Sequence, residues 1–178
     1  MKIVTVYSVF GIGFLTLMPV VARDRLHLGA GGYGSLLASV GVGGLAGALW
    51  LASVGGRLPR GRLWETAVYA YGMLLVVFGL VPRPWLAYPV LLATGFAMIV
   101  ASALANSMLQ AIVPDELRGR LMAAYSFVVV GLSQAVGSFI AGLAAEHLGD
   151  GLAISGTAAI ILAYCYAKFR RAPDIRAL

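Results

Sequence analysis

Charge is scarce in this sequence. Asp, Glu, Lys and Arg together make up 11% of its 178 residues, against 61% apolar types. A soluble domain carries about 25% charged residues, because its surface faces water. One globular core of this length cannot hide so much apolar surface, and the mean hydropathy is +0.92. The solvent these residues suit is lipid.

Cysteine and histidine are scarcer still. Cys165 stands alone, which excludes a disulfide framework within one chain and any multi-cysteine metal site. Flanked by Tyr164 and Tyr166 in an apolar run, it reads as a small packed hydrophobe. His27 and His147 fall outside the apolar runs, and no G-x-S-x-G is present. An intramembrane serine protease would therefore lack its base. The runs hold no His or Asp and a single Glu, Glu65, which supplies no ligand set for metal-dependent hydrolysis, and no acidic metal-binding motif for phosphotransfer to lipid head groups. Nor is there a G-x-x-x-x-G-K-[ST] phosphate loop. The chain reads as a non-enzyme with no cofactor.

What is present is apolar sequence in blocks of membrane-spanning length. A span needs about 20 mostly apolar residues. Charges, glycines and prolines divide the chain into six such blocks: Ile3–Ala22, Gly32–Gly55, Leu63–Val81, Trp85–Val113, Leu121–Ala145 and Gly151–Ala167. The first is too long for the 7–15-residue core of a signal peptide and is expected to be retained. The breakers between blocks are of the usual kinds, such as Pro82-Arg83-Pro84 and Gly149-Asp150. The fold class expected is an all-α membrane protein, a six-transmembrane-helix bundle.

The net charge of +6 might suggest nucleic acid, but the positions of the cations say otherwise. With six spans, one side carries Lys2, Arg57, Arg60, Arg62, Arg118, Arg120, Lys168, Arg170, Arg171 and Arg176. The other carries Arg23, Arg25 and Arg83. Excess Lys and Arg in short loops mark the cytoplasmic side. Both termini are therefore expected in the cytoplasm, and an odd number of spans would destroy the split. The partner implied is the lipid bilayer, with no nucleic acid.

Between helices in lipid, close backbone approach counts for more than hydrophobic burial. The second block has Gly43 and Gly47 in GxxxG spacing, and the fifth has Ser133-xxx-Gly137 and Ser138-xxx-Gly142. The third and sixth are bulkier. This asymmetry predicts that spans two and five are central and that spans three and six face lipid.

No Asp, Glu, Lys or Arg falls in the middle of any span, so no ion-coupling residue is evident. The intramembrane polar residues are few. Ser102, Asn106 and Gln110 recur at i, i+4, i+8 on one face of the fourth span. Gln134 sits in the fifth, with Ser126 and Ser133 near its face. Carboxamides in hydrocarbon need partners, and two readings stand: bonding between helices, or lining a substrate path.

The cytoplasmic side contains one tetrapeptide twice, Arg60-Gly61-Arg62-Leu63 and Arg118-Gly119-Arg120-Leu121. The longer string Pro114-Asp115-Glu116-Leu117-Arg118-Gly119-Arg120 is more specific. On it, on Leu17-Met18-Pro19-Val20-Val21-Ala22-Arg23-Asp24, and on the loop Gly56-Arg57-Leu58-Pro59-Arg60-Gly61-Arg62, the chain resembles the C-terminal half of a major facilitator superfamily transporter. The resemblance is to the exporter-like transmembrane secretion effector branch, and it runs from helix seven through helix twelve. In the 56–62 loop the acidic residue usual for the family falls on Leu58.

The resemblance implies two six-helix bundles with an unknown small-molecule substrate bound between them, and alternating access by rocking. It implies that spans one, two, four and five face the cavity. It also implies a missing N-terminal six-helix half, supplied by the same longer chain, a separate chain or a homodimer, with a fragment of a longer protein the expected case. Location in the bacterial inner (cytoplasmic) membrane goes with it. Arg118 and Arg120, paired with Asp115 or Glu116, and Arg60 and Arg62 across the same face, are candidates for a gate formed in one access state; orientation and anionic-lipid contact is the alternative. A six-helix membrane-embedded binding subunit of a multi-component transporter fits the chain length equally well.

Overall fold

The computed structural model describes residues 13–54, 59–112 and 115–171. Residues 13–20 form α1, which continues into a π-helical turn, Val21–Arg25. There follow α2 (Ala30–Val54), α3 (Arg60–Leu80), α4 (Pro84–Ile112), α5 (Asp115–Ser126), a second π-helical turn (Phe127–Leu132), α6 (Ser133–Leu148) and α7 (Asp150–Arg171). No strand occurs among the described residues.

Local chemistry sets these boundaries. Pro59 caps α3 in an extended conformation (φ −63°, ψ 112°), and α4 opens on Pro84, where a missing N–H costs nothing. At the far end of α3, Val81 is extended and its N–H bonds to the Phe78 carbonyl; Pro82 follows and cannot continue the helix. Gly149, at φ 81°, adopts a backbone that favours glycine. It separates α6 from α7 with no longer loop. The segment expected as a cytoplasmic loop before Leu121 is helical from Asp115 onward. Two acidic residues in a first turn complement the positive end of the helix dipole, so Asp115-Glu116 starts the helix rather than delaying it.

Among the described residues, four helices are long and apolar enough to cross a membrane: Gly31–Val54, Arg60–Leu80, Pro84–Ala111 and Asp150–Phe169. Of these four, α3 runs one way and α2, α4 and α7 run the other. Gly43 and Gly47 of α2 meet Leu92 and Phe96 of α4, so these two run parallel. Gly79 meets Ser155, Gly72 meets Leu162 and Trp64 meets Phe169, so α3 and α7 run antiparallel. One end of the bundle therefore gathers Arg25, the end of α3 and the start of α7. The other gathers the start of α3 and the end of α4, where Arg60 Nη1 donates to Ser107 Oγ at 3.4 Å.

The core is centred on α3, which packs against both α4 and α7. Tyr71, Leu75 and Phe78 are fully buried. Phe14 of α1 meets Tyr71 and Phe78 edge-on, with ring centroids 6.4 Å apart in each pair. At the other end of α3, Phe169 of α7 packs between Trp64 and Tyr69 at 5.5 and 5.7 Å. Ala153, Ile154, Ala158, Ile161 and Cys165 of α7 are buried along the same seam.

Within this bundle α3 is more buried than the glycine-rich α2. Within the chain, 44% of the apolar window of α3 is buried, against 22% for α2. Glycines mark how closely two backbones approach, not how many neighbours a helix has. The small residues of α2 fit it to α4, while Val42, Leu45 and Leu49 stay exposed. The bulky α3 fills the middle because large side chains reach several neighbours at once.

Candidate transport path and gate

The polar strip on α4 is positioned by a helix that is otherwise apolar on its buried side, where Val100, Ala101, Leu104 and Ala105 face the core. Asn106, half-buried, and Gln110, exposed, lie one turn apart. Gln110 Nε2 donates to Asn106 Oδ1 at 3.2 Å. Among the described residues, the hydrogen bond these carboxamides make runs along their own helix. Ser102 is half-buried one turn earlier. Ser107, beside Asn106, accepts from Arg60; it went unnoticed in the sequence because a lone serine in an apolar helix carries no signal.

The residues expected on the fifth span divide. Ser133 is buried and belongs to the packed core, while Ser126 and Gln134 are exposed. The hydroxyl that crosses to another helix is a different one. Ser138 Oγ lies 2.8 Å from Thr16 Oγ1 of α1. Next to it, a Cβ at Gly13 would stand 3.0 Å from the Gly137 carbonyl oxygen. Gly13 and Gly137 thus approach backbone to backbone, as Gly43 and Gly47 do with α4. Gly142 is exposed, with nothing within 4 Å of an added Cβ.

Of the proposed gate residues, Arg60 and Arg62 are exposed at the start of α3, and Arg120 is exposed on α5. The side chains of Asp115, Glu116 and Arg118 lie outside the described residues, as do Arg57 and Leu58. Arg60 contacts Ser107, and that contact ties α3 to α4.

The opposite end holds charge that sequence reading did not single out. Arg23 Nε donates to Asp24 Oδ1 at 2.7 Å. The hydrogen bond first and the carboxylate's charge second raise this guanidinium above its ordinary value; both side chains are exposed, where such a pair adds little stability. Arg25 differs. Among the described residues its Nη1 is buried without a hydrogen-bond partner, and so is Oδ2 of Asp150 at the start of α7. Nearby, Ser35 Oγ and Tyr88 Oη lie 2.9 Å apart, joining the first turns of α2 and α4. Among the described residues no three His, Cys, Asp or Glu side chains gather as a metal site would require.

Long apolar helices, small-residue crossings and polar groups gathered at helix ends define a multi-pass, all-α membrane protein. The chain belongs to the transmembrane secretion effector family of the major facilitator superfamily, whose sequence model matches residues 1–177. No curated protein and no solved structure matches it. Membership makes it a transporter-type protein, in a family whose members are generally not enzymes.

Proposed function

We propose that this chain is the C-terminal six-helix half of a secondary transporter that exports small amphipathic molecules by alternating access. The observation that carries this reading is the Asn106–Gln110 bond along α4. Because the carboxamides bond within their own helix, their remaining donors and acceptors are available to a solute at the edge of the bundle. An interhelical role would have tied them to a neighbour. The exposed apolar faces of α2 and α6, with Leu45, Leu49, Phe139 and Leu143, fit contact with the other half, whether it comes from the same longer chain, a separate chain or a second copy. The uneven distribution of arginine supports a bacterial inner-membrane location with both termini cytoplasmic.

The test uses everted membrane vesicles containing the protein in its native context, offered a panel of cationic and neutral amphipathic dyes. Energised accumulation of at least one dye, lost in N106L/Q110L, is expected. Failure with every dye, together with co-purification of an ATP-hydrolysing subunit, would favour a binding subunit of a multi-component transporter instead.

A further inference from the structure

Arg25 reaches its position through the π-helical turn. In that turn Leu26 N–H bonds to the Val21 carbonyl at 2.9 Å and Leu28 N–H to the Ala22 carbonyl at 2.7 Å. The wider turn changes which residues share a face. Arg23 and Asp24 point outward, whereas Val21 and Ala22 are buried and Arg25 is half-buried. His27 at φ 53° then redirects the chain into α2.

The Arg25 guanidinium lands against the backbone of α7. A Cβ at Gly151 would lie 2.6 Å from Arg25 Nη1 and 2.6 Å from the Gly79 carbonyl oxygen. The cation therefore occupies space that exists because residue 151 has no side chain, where α3 and α7 cross most closely. The next residue back along the chain is Asp150, with its own buried, unpartnered oxygen. The other charged side chains at this end, Arg23, Asp24, His27, Arg83, Glu146 and His147, are exposed, and the phenols Tyr33 and Tyr88 are half-buried. Arg25 and Asp150, both half-buried, thus each hold one buried polar atom left unpaired among the described residues. A buried unpaired ion is costly, and pairing relieves that cost.

We propose that Arg25 and Asp150 are the two halves of a charge latch on the arginine-poor face, open in this structure and closed when α1 shifts against α7. Closure is an ion pair between the Arg25 guanidinium and the Asp150 carboxylate, tying the first helix of the bundle to the last. Opening frees α1 to move with the access cycle. The latch rests on the alternating-access reading, but its test does not require transport.

The test is a double-mutant cycle on the thermal stability of the whole protein, using R25Q, D150N and the combination. Each single change is expected to lower Tm by roughly 2–4 °C, about the effect of 1 kcal/mol in a chain of this size. The double is expected to be no lower than the worse single, and the exchange R25D/D150R to recover at least half the loss. Losses that add, with no recovery on exchange, overturn the latch. Should the exchanged chain fail to accumulate, R25C/D150C in a C165A background is treated in native membranes with thiol cross-linkers of graded length. Joining by the shortest reagent supports the latch, and joining by long reagents alone overturns it. Dye accumulation that survives loss of the coupling leaves the transport reading in place and removes only the latch.

Discussion

A Cβ placed on Gly47 would stand 2.8 Å from the carbonyl oxygen of Phe96. The same helix pair repeats the relationship one turn away, where Gly43 meets the Leu92 carbonyl and Gly95 of α4 meets that of Val40. Backbone lies on backbone along the whole crossing. In lipid, where apolar side chains gain little by leaving the solvent, such close van der Waals contact is a main source of helix association.

Enlarging these glycines should therefore separate α2 from α4. G43L and G47L are each expected to destabilise by about 1–3 kcal/mol, the usual cost of overpacking. Melting of the purified protein in detergent is the measurement. G41A and G142A serve as controls, since nothing lies within 4 Å of an added Cβ at either site. Both should be neutral or slightly stabilising, as Ala is favoured over Gly inside a helix by roughly 0.5–1 kcal/mol.

The Thr16–Ser138 hydroxyl pair should behave as one interaction. T16V and S138A are each expected to cost about 0.6 kcal/mol, the average for hydrogen bonds between membrane helices. The double variant should cost scarcely more than either single. Additive losses in the melting cycle would mean that the hydroxyls act separately.

Loss of the α4 carboxamides should affect transport and leave folding alone. N106L and Q110L are each expected to reduce dye accumulation roughly tenfold, the value of about 1.4 kcal/mol of lost polar contact. Their melting temperatures should stay close to that of the parent. A parallel fall in both would assign the pair to packing.

Cys165 is fully buried on the face of α7 that packs against α3. A thiol with no solvent contact is inert. Membrane-permeant maleimide should leave the native protein unlabelled and modify one site per chain after denaturation, read by intact-protein mass. Labelling of the folded protein would show that the α3–α7 seam opens.

Much of this architecture was legible from composition and punctuation. The blocks ending at Val81 and Val113 and beginning at Gly151 fall close to α3, α4 and α7, because Pro82, Pro84 and Gly149 act on the backbone whatever surrounds them. The Gly43–Gly47 crossing was legible for the same reason. The helical start at Asp115 was not, since arginines and acids in series look like a loop until the helix dipole is considered. The centrality of α3 was hidden because Tyr71 and Phe78 read alike whether they face lipid or protein. Arg25 was hidden by the π-helical turn: ordinary periodicity gives no hint that it turns inward while Arg23 stays out. The carboxamide strip Asn106–Gln110 was visible as a face, but its bonding along the helix depends on rotamers that no spacing reveals.

The proposed transporter half requires an even number of crossings with the arginine-rich face in the cytoplasm. The most direct measurement places topology reporters after Leu178 and within the α1–α2 connection at His27, each in the full-length protein. A reporter active in the cytoplasm should light up after Leu178, and one active in the periplasm should light up at His27. A periplasmic signal after Leu178, or a cytoplasmic one at His27, would contradict the six-span orientation and the transport path built on it.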